Sequence, residues 1–232
     1  HTADGVQLLS RDTATGALTV PARSYVVLVE EADGIAPAPV FTDVSEDNQF
    51  FTEITWLAER GISTGWVNAD GTAEYRPLLP VARDAMAAFL FRLLAPEDYV
   101  APETSPFVDV ATTNQFYTEI AWLKESGIST GWARGDGTFE FRPLAPIARD
   151  AMAAFLYRAA DSPEFTPPTV SPFQDVAPGD QFYAEIAWMK ATGIGRGWIG
   201  NDGRDYYQPL NPVARDAMAA FLFRFYDGGY AD

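Results

Sequence analysis

Cysteine is absent from this 232-residue chain, which excludes a disulfide framework and thiol chemistry. Histidine occurs once, at His1, so a zinc site has no ligand set to draw on. Lysine is confined to Lys124 and Lys190, and 16 basic residues face 32 acidic ones for a formal charge of −16. That balance argues against nucleic acid and against an anionic membrane surface as general partners. No apolar run is long enough to span a bilayer, so membrane insertion is not expected. A signal peptide is also missing, but the chain opens on His1 rather than Met and reads as a fragment or processed product, so export stays open. There are no paired carboxylates in a recognisable motif, no nucleophile elbow and no phosphate-binding loop. The chain itself is expected to be no enzyme and to use no cofactor.

What the chain does have is a hydrophobic content of 47%, enough for a packed core, and strong internal repetition. Phe41, Phe107 and Phe173 recur at one constant interval, as do Trp56, Trp122 and Trp188, and Arg83, Arg149 and Arg215. Loops are therefore copied along with helices. Each repeat opens on Phe-x-Asp-Val, at Phe41 to Val44, Phe107 to Val110 and Phe173 to Val176. The spacing of Phe50, Ile54, Leu57 and Ala58 predicts a first helix over roughly 48–60, ended by Gly61. GISTGWVNADGTAEYRP follows, with a tight turn at Asp70-Gly71. Pro80 then precedes a second helix over roughly 81–93, with Met86, Phe89, Leu90 and Leu93 as its apolar stripe.

Two segments rich in proline and acid, APEDYVAPETSP (95–106) and DSPEFTPPTVSP (161–172), read as stiff linkers. They delimit repeats at 40–94, 106–160 and 172–227. Two short helices cannot bury both apolar faces alone, but three such units packed together can. The alanines at Ala85, Ala87 and Ala88, repeated at Ala151, Ala153, Ala154 and at Ala217, Ala219, Ala220, suggest close approach of the three second helices around a central core. The fold class expected is mainly α: three helix-loop-helix units packed as a pseudo-threefold bundle.

The ordered set of motifs resembles S-layer homology domains of the actinobacterial type. The resemblance rests on Phe-x-Asp-Val, on GIS-x-GW at Gly61 to Trp66 and Gly127 to Trp132, and on Asp-Gly-Thr at Asp70 and Asp136. It continues through Tyr-Arg-Pro at Tyr75 and Phe-Arg-Pro at Phe141 into the second helix, and it covers roughly residues 40–227. It implies a bundle that anchors an exported, cell-wall-associated protein non-covalently, with a secondary cell-wall polysaccharide or other wall glycan, often pyruvylated, as ligand. The chain departs from the family pattern in two ways. The family's Thr-Arg-Ala-Glu capping box is here Ala-Arg-Asp-Ala, at Ala82, Ala148 and Ala214. The third repeat carries Arg196, Arg204 and Gln208 where the others have threonine, threonine and arginine.

Candidate ligand-binding residues follow from the repeats. Arg83, Arg149 and Arg215 fall in a first helical turn, where the dipole opposes a cation. They pair with a carboxylate such as Asp43 or Asp70, or they hold a guanidinium ready for an anionic or hydroxyl-rich sugar at a positive helix end. The resemblance favours the second. Grooves of Arg83 and Arg149 are expected to bind best, because the first two repeats keep the full turn sequence, and Arg149→Ala is expected to weaken binding without changing melting. Trp66, Trp132 and Trp198 sit in the turn region, packed or free to stack on a sugar. Asp70, Asp136 and Asp202 serve the turn or accept sugar hydroxyls. Trp56, Trp122 and Trp188, within the first helix, are expected to be structural. The Asp-Gly loops lack the first calcium ligand in all three copies and are no calcium site.

Residues 1–35 differ from the rest. ALTVPARSYVVLVEE reads as two strands and resembles the last hairpin of the β-sandwich that follows the barrel in amylase- and pullulanase-type enzymes. The expectation is a short N-terminal β-hairpin remnant of an upstream domain, the parent protein being an extracellular α-glucan hydrolase. The other function class is a protein-interaction or self-assembly module of a surface-layer protein.

Overall fold

The aspartate of each Phe-x-Asp-Val motif fixes a turn more than thirty residues downstream. Asp43 accepts the backbone N–H groups of Tyr75 and Arg76, both at 2.7 Å; Asp109 accepts those of Phe141 and Arg142, and Asp175 those of Tyr207 and Gln208. Two N–H bonds to one carboxylate hold Arg76, Arg142 and Gln208 at φ near +58°, an uncommon conformation for a side-chain-bearing residue. This computed structural model describes residues 39–231; the expected hairpin over 1–35 lies outside the described residues.

Each repeat runs helix, hairpin, helix. The first has α1 (Phe51–Glu59), β1 (Trp66–Val67), β2 (Ala73–Glu74) and α2 (Arg83–Leu94). The second has α3 (Tyr117–Glu125), β3 (Trp132–Ala133), β4 (Phe139–Glu140) and α4 (Arg149–Ala159). The third has α5 (Tyr183–Ala191), β5 (Trp198–Ile199), β6 (Asp205–Tyr206) and α6 (Arg215–Asp227). Helices dominate, as expected. The hairpins are antiparallel, with Trp66 opposite Glu74 and Trp132 opposite Glu140. Gly65 adds a close approach to its positive φ, because a Cβ there would meet Glu74 O at 2.4 Å and the Phe41 ring at 2.6 Å. Gly131 and Gly197 meet the same obstacles.

The repeats interlock through backbone. Val81 donates its N–H to Val213 O, Val213 to Ile147 O, and Ile147 to Val81 O, each at 2.9 Å, closing a ring of three bonds. Helix pairing also crosses between repeats: α2 packs on α3, α4 on α5, and α6 on α1. The expected close packing of the three second helices on one another is not what forms. Each lies against the first helix of a neighbouring repeat, and the extended Val81, Ile147 and Val213 segments meet instead. Trp56, Trp122 and Trp188 occupy these seams, edge-on to Phe223, Phe91 and Tyr157 across the repeat boundary. Met86, Met152 and Met218 are fully buried, as are Ala87, Ala153 and Ala219.

The missing capping boxes are replaced across the same boundaries. Arg83 N–H donates to Ala145 O and Asp84 N–H to Pro143 O; Arg149 and Asp150 donate to Asn211 O and Pro209 O, and Arg215 and Asp216 to Leu79 O and Pro77 O. The loop of another repeat thus satisfies N–H groups that a helix start leaves without partners. A local Thr and Glu are not needed.

Candidate functional site

The three repeated arginines point into a neighbouring repeat rather than their own. Arg83 Nε donates to Phe141 O at 2.8 Å, Arg149 Nε to Tyr207 O at 2.8 Å, and Arg215 Nε to Tyr75 O at 2.7 Å. Two tyrosines return the contact: Tyr75 Oη donates to Arg215 O and Tyr207 Oη to Arg149 O, whereas Phe141 has no hydroxyl to do so. The arginines are 4%, 4% and 6% exposed. None has a carboxylate within ion-pair distance among the described residues, so of the two alternatives the pairing with Asp43 or Asp70 does not occur. Their charge is held by carbonyl oxygen and aromatic rings. Burial pushes Arg83 down to about 10, with Arg142 beside it adding to the effect. Burial also lowers Arg149 and Arg215.

Each arginine lines a groove of about 420 to 460 Å³. The Arg215 groove contains Ser63, Trp66, Ala85 and Asp84; the Arg83 groove contains Ser129, Trp132, Ala151 and Asp150; the Arg149 groove contains Arg196, Trp198, Ala217 and Asp216. A volume in this range suits one or two sugar units. Ala85, Ala151 and Ala217 line the grooves, so part of the alanine pattern keeps space open. With Nε committed to a carbonyl, Arg83 and Arg149 have no protein acceptor for their Nη atoms among the described residues, and those atoms retain solvent contact. Arg215 spends one, Nη2, on Ser63 Oγ at 3.1 Å. Ser129 Oγ, the equivalent hydroxyl, is buried without a partner.

This geometry changes two expectations. An arginine enters the loop of another repeat, so the intact turn sequences of the first two repeats belong to the Arg215 and Arg83 grooves. The Arg149 groove is built on the divergent third turn. The helix N-terminus is also not an open anion site, since its first two N–H groups go to carbonyls of another repeat and the third, at Ala85, Ala151 and Ala217, goes to Asp84, Asp150 and Asp216 at 2.6 Å.

The tryptophans and aspartates separate. Trp66, Trp132 and Trp198 all line grooves, under the guanidinium groups of Arg215, Arg83 and Arg149 at 4.4, 4.3 and 4.2 Å. Asp70, Asp136 and Asp202 line none of the three. Asp70 accepts the backbone N–H and the hydroxyl of Thr72, which hold its carboxyl below the usual range, and Asp136 does the same with Thr138. Asp202 accepts the Arg204 N–H and the Tyr206 hydroxyl. These are turn bonds. The groove carboxylates are Asp84, Asp150 and Asp216, raised by burial. Their threefold recurrence beside the arginine was the available sequence signal. Arg92, Arg158 and Arg224 donate Nη1 to the carbonyls of Ile62, Ile128 and Ile194.

No family model matches the chain, and no curated protein matches it either.

Proposed function

We propose that the chain is a carbohydrate-binding anchor: three S-layer homology repeats in a pseudo-threefold bundle, holding an exported protein to a secondary cell-wall polysaccharide or other wall glycan. The observation that carries the reading is the recurrence of one groove at three repeat boundaries, each with a buried arginine fixed through Nε. A guanidinium immobilised this way offers its remaining N–H groups to a sugar oxygen or acid with little ordering cost. The overall −16 charge repels an acidic polymer at long range, so affinity rests on these local cations. Residues 1–35 belong, on this reading, to an upstream enzyme of the amylase or pullulanase type, and the wall-bound chain serves to localise it outside the cell.

The test is co-sedimentation of the chain with protein-free cell walls. Retention, with release after the wall polysaccharide is stripped, is the expected result. A second reading has its own observation. Leu78, Leu144 and Leu210 are 80%, 82% and 80% exposed at equivalent positions. Repeated bare leucines suit a protein partner or self-assembly. Retention that survives stripping, or sedimentation without walls, favours that alternative.

A further inference from the structure

Three loops share the pattern Pro-Leu-x-Pro: PLLP at 77–80, PLAP at 143–146 and PLNP at 209–212. Their leucines, Leu78, Leu144 and Leu210, are the exposed ones noted above. Turns favour glycine, proline, asparagine, aspartate and serine, and nothing in the turn itself asks for leucine. The loops are rigid. Leu79, Ala145 and Asn211 donate their N–H groups to the carbonyls of Arg76, Arg142 and Gln208, each at 3.1 Å. The carbonyls on either side of Leu78 accept the N–H groups of Asp216 and Arg215 at the start of α6, and the other two loops serve α2 and α4 in the same way. The ring through Val81, Ile147 and Val213 brings those three helix starts together. Each leucine is thus held on ordered backbone, and all three stand at the end of the molecule where the second helices begin.

The loops are also uncharged. Their twelve residues include no Asp, Glu, Lys or Arg, in a chain that is 21% charged and carries −16. A cationic partner is drawn to the acidic surface elsewhere on the molecule, and a strongly acidic one is repelled by it. What fits these loops is a surface equally apolar and uncharged, with leucines at matching positions. A second copy of this chain has that surface, because in a twofold pair the same patch serves both sides. Two copies at −16 repel each other, and they do so least when their uncharged loops face.

We propose that the chain pairs end to end with a second copy of itself through Leu78, Leu144 and Leu210, as a closed twofold dimer. Twelve residues are about half of the roughly 20 to 30 that a stable interface uses on each side, so the pair is weak and forms only at high concentration. Rigid loops offset part of that shortfall, since little backbone remains to be ordered on contact. A closed pair uses up the patch on both copies, so it stops at two chains and stays in solution. Pairing of this kind rests on the self-assembly reading of the leucines, gives that reading a definite form, and does not depend on the glycan anchor.

Sedimentation equilibrium of the full chain, from micromolar to near-millimolar concentration, tests this. The mass should rise from one chain to two and no further. Added salt should tighten the pair, because it screens repulsion between the acidic bodies and leaves apolar contact intact. The triple variant Leu78→Ser, Leu144→Ser, Leu210→Ser should weaken pairing by about a hundredfold or more. Its melting temperature in dilute solution should match the parent's, because these side chains are exposed in the single chain. Val170 is equally exposed but lies outside the three loops, so Val170→Ser should pair as the parent does. A chain that stays single at the highest concentration, a mass that climbs past two, pairing that salt weakens, or a triple variant that pairs like the parent overturns the proposal. An equal loss in Val170→Ser does so too. Walls take no part in the measurement. Pairing by a chain that walls do not retain leaves the dimer standing and removes the anchor, and retention of a strictly single chain does the reverse.

Discussion

Arg149 answers at residue scale what a threefold-repeated arginine does at a helix start that should repel it. Its Nε bond to a buried carbonyl and its place among the Trp198, Tyr207 and Phe221 rings make it part of the fold. The sequence-based expectation that Arg149→Ala leaves melting unchanged is therefore replaced. The substitution should cost about 2 to 4 kcal/mol, from a lost charged hydrogen bond and ring contacts, and a thermal or denaturant melt reads it. Phe141 gives the opposite case. Tyr75 and Tyr207 show where a hydroxyl reaches an arginine carbonyl, so Phe141→Tyr should add a bond to Arg83 O and stabilise by about 0.5 to 1.5 kcal/mol. Asp150 is a third case. Burial raises its pKa in the folded chain, so its charge weighs against folding above that pKa, and the penalty is relieved as pH falls through it. Asp150→Asn should raise the melting temperature at pH 7, with the gain shrinking toward pH 3. A gain that persists undiminished at acid pH would trace to something other than the charge.

At the scale of elements, α4 shows both uses of alanine. Ala153 is fully buried, and Ala151 lines a groove. Ala153→Leu should overpack the interior and cost about 1 to 3 kcal/mol, measured by denaturant unfolding. The helices themselves were readable from the sequence because the spacing of residues such as Ile54 and Leu57 is a local property. Their starts were misplaced by two or three residues. Asn48 takes the Phe50 N–H through its side chain and delays α1, and α2 begins only after Ala82, whose extended backbone continues the Val81 segment that bonds to other repeats. The hairpins read as turns because two-residue strands are too short for alternation. Which repeat each arginine enters was not readable either. Identical copies carry the same local sequence whether a helix start is capped at home or by a neighbour, and only the closed ring through Val81, Ile147 and Val213 decides it.

For the whole molecule, the account depends on grooves that no repeat possesses alone. Each needs the arginine of one repeat and the hairpin and second helix of another, so binding and folding share the same contacts. Removing an arginine disturbs both, and the cleaner measurement fills the space instead. Ala85, Ala151 and Ala217 are only partly buried and lie on helices that accept a larger side chain. Replacing all three with glutamine should block the grooves while keeping every Nε–carbonyl bond. Co-sedimentation with protein-free cell walls, run beside a thermal melt, should then show an unchanged melting temperature and lost retention. A groove-filled chain that melts normally and still binds walls as the parent does would contradict the claim that these grooves hold the glycan.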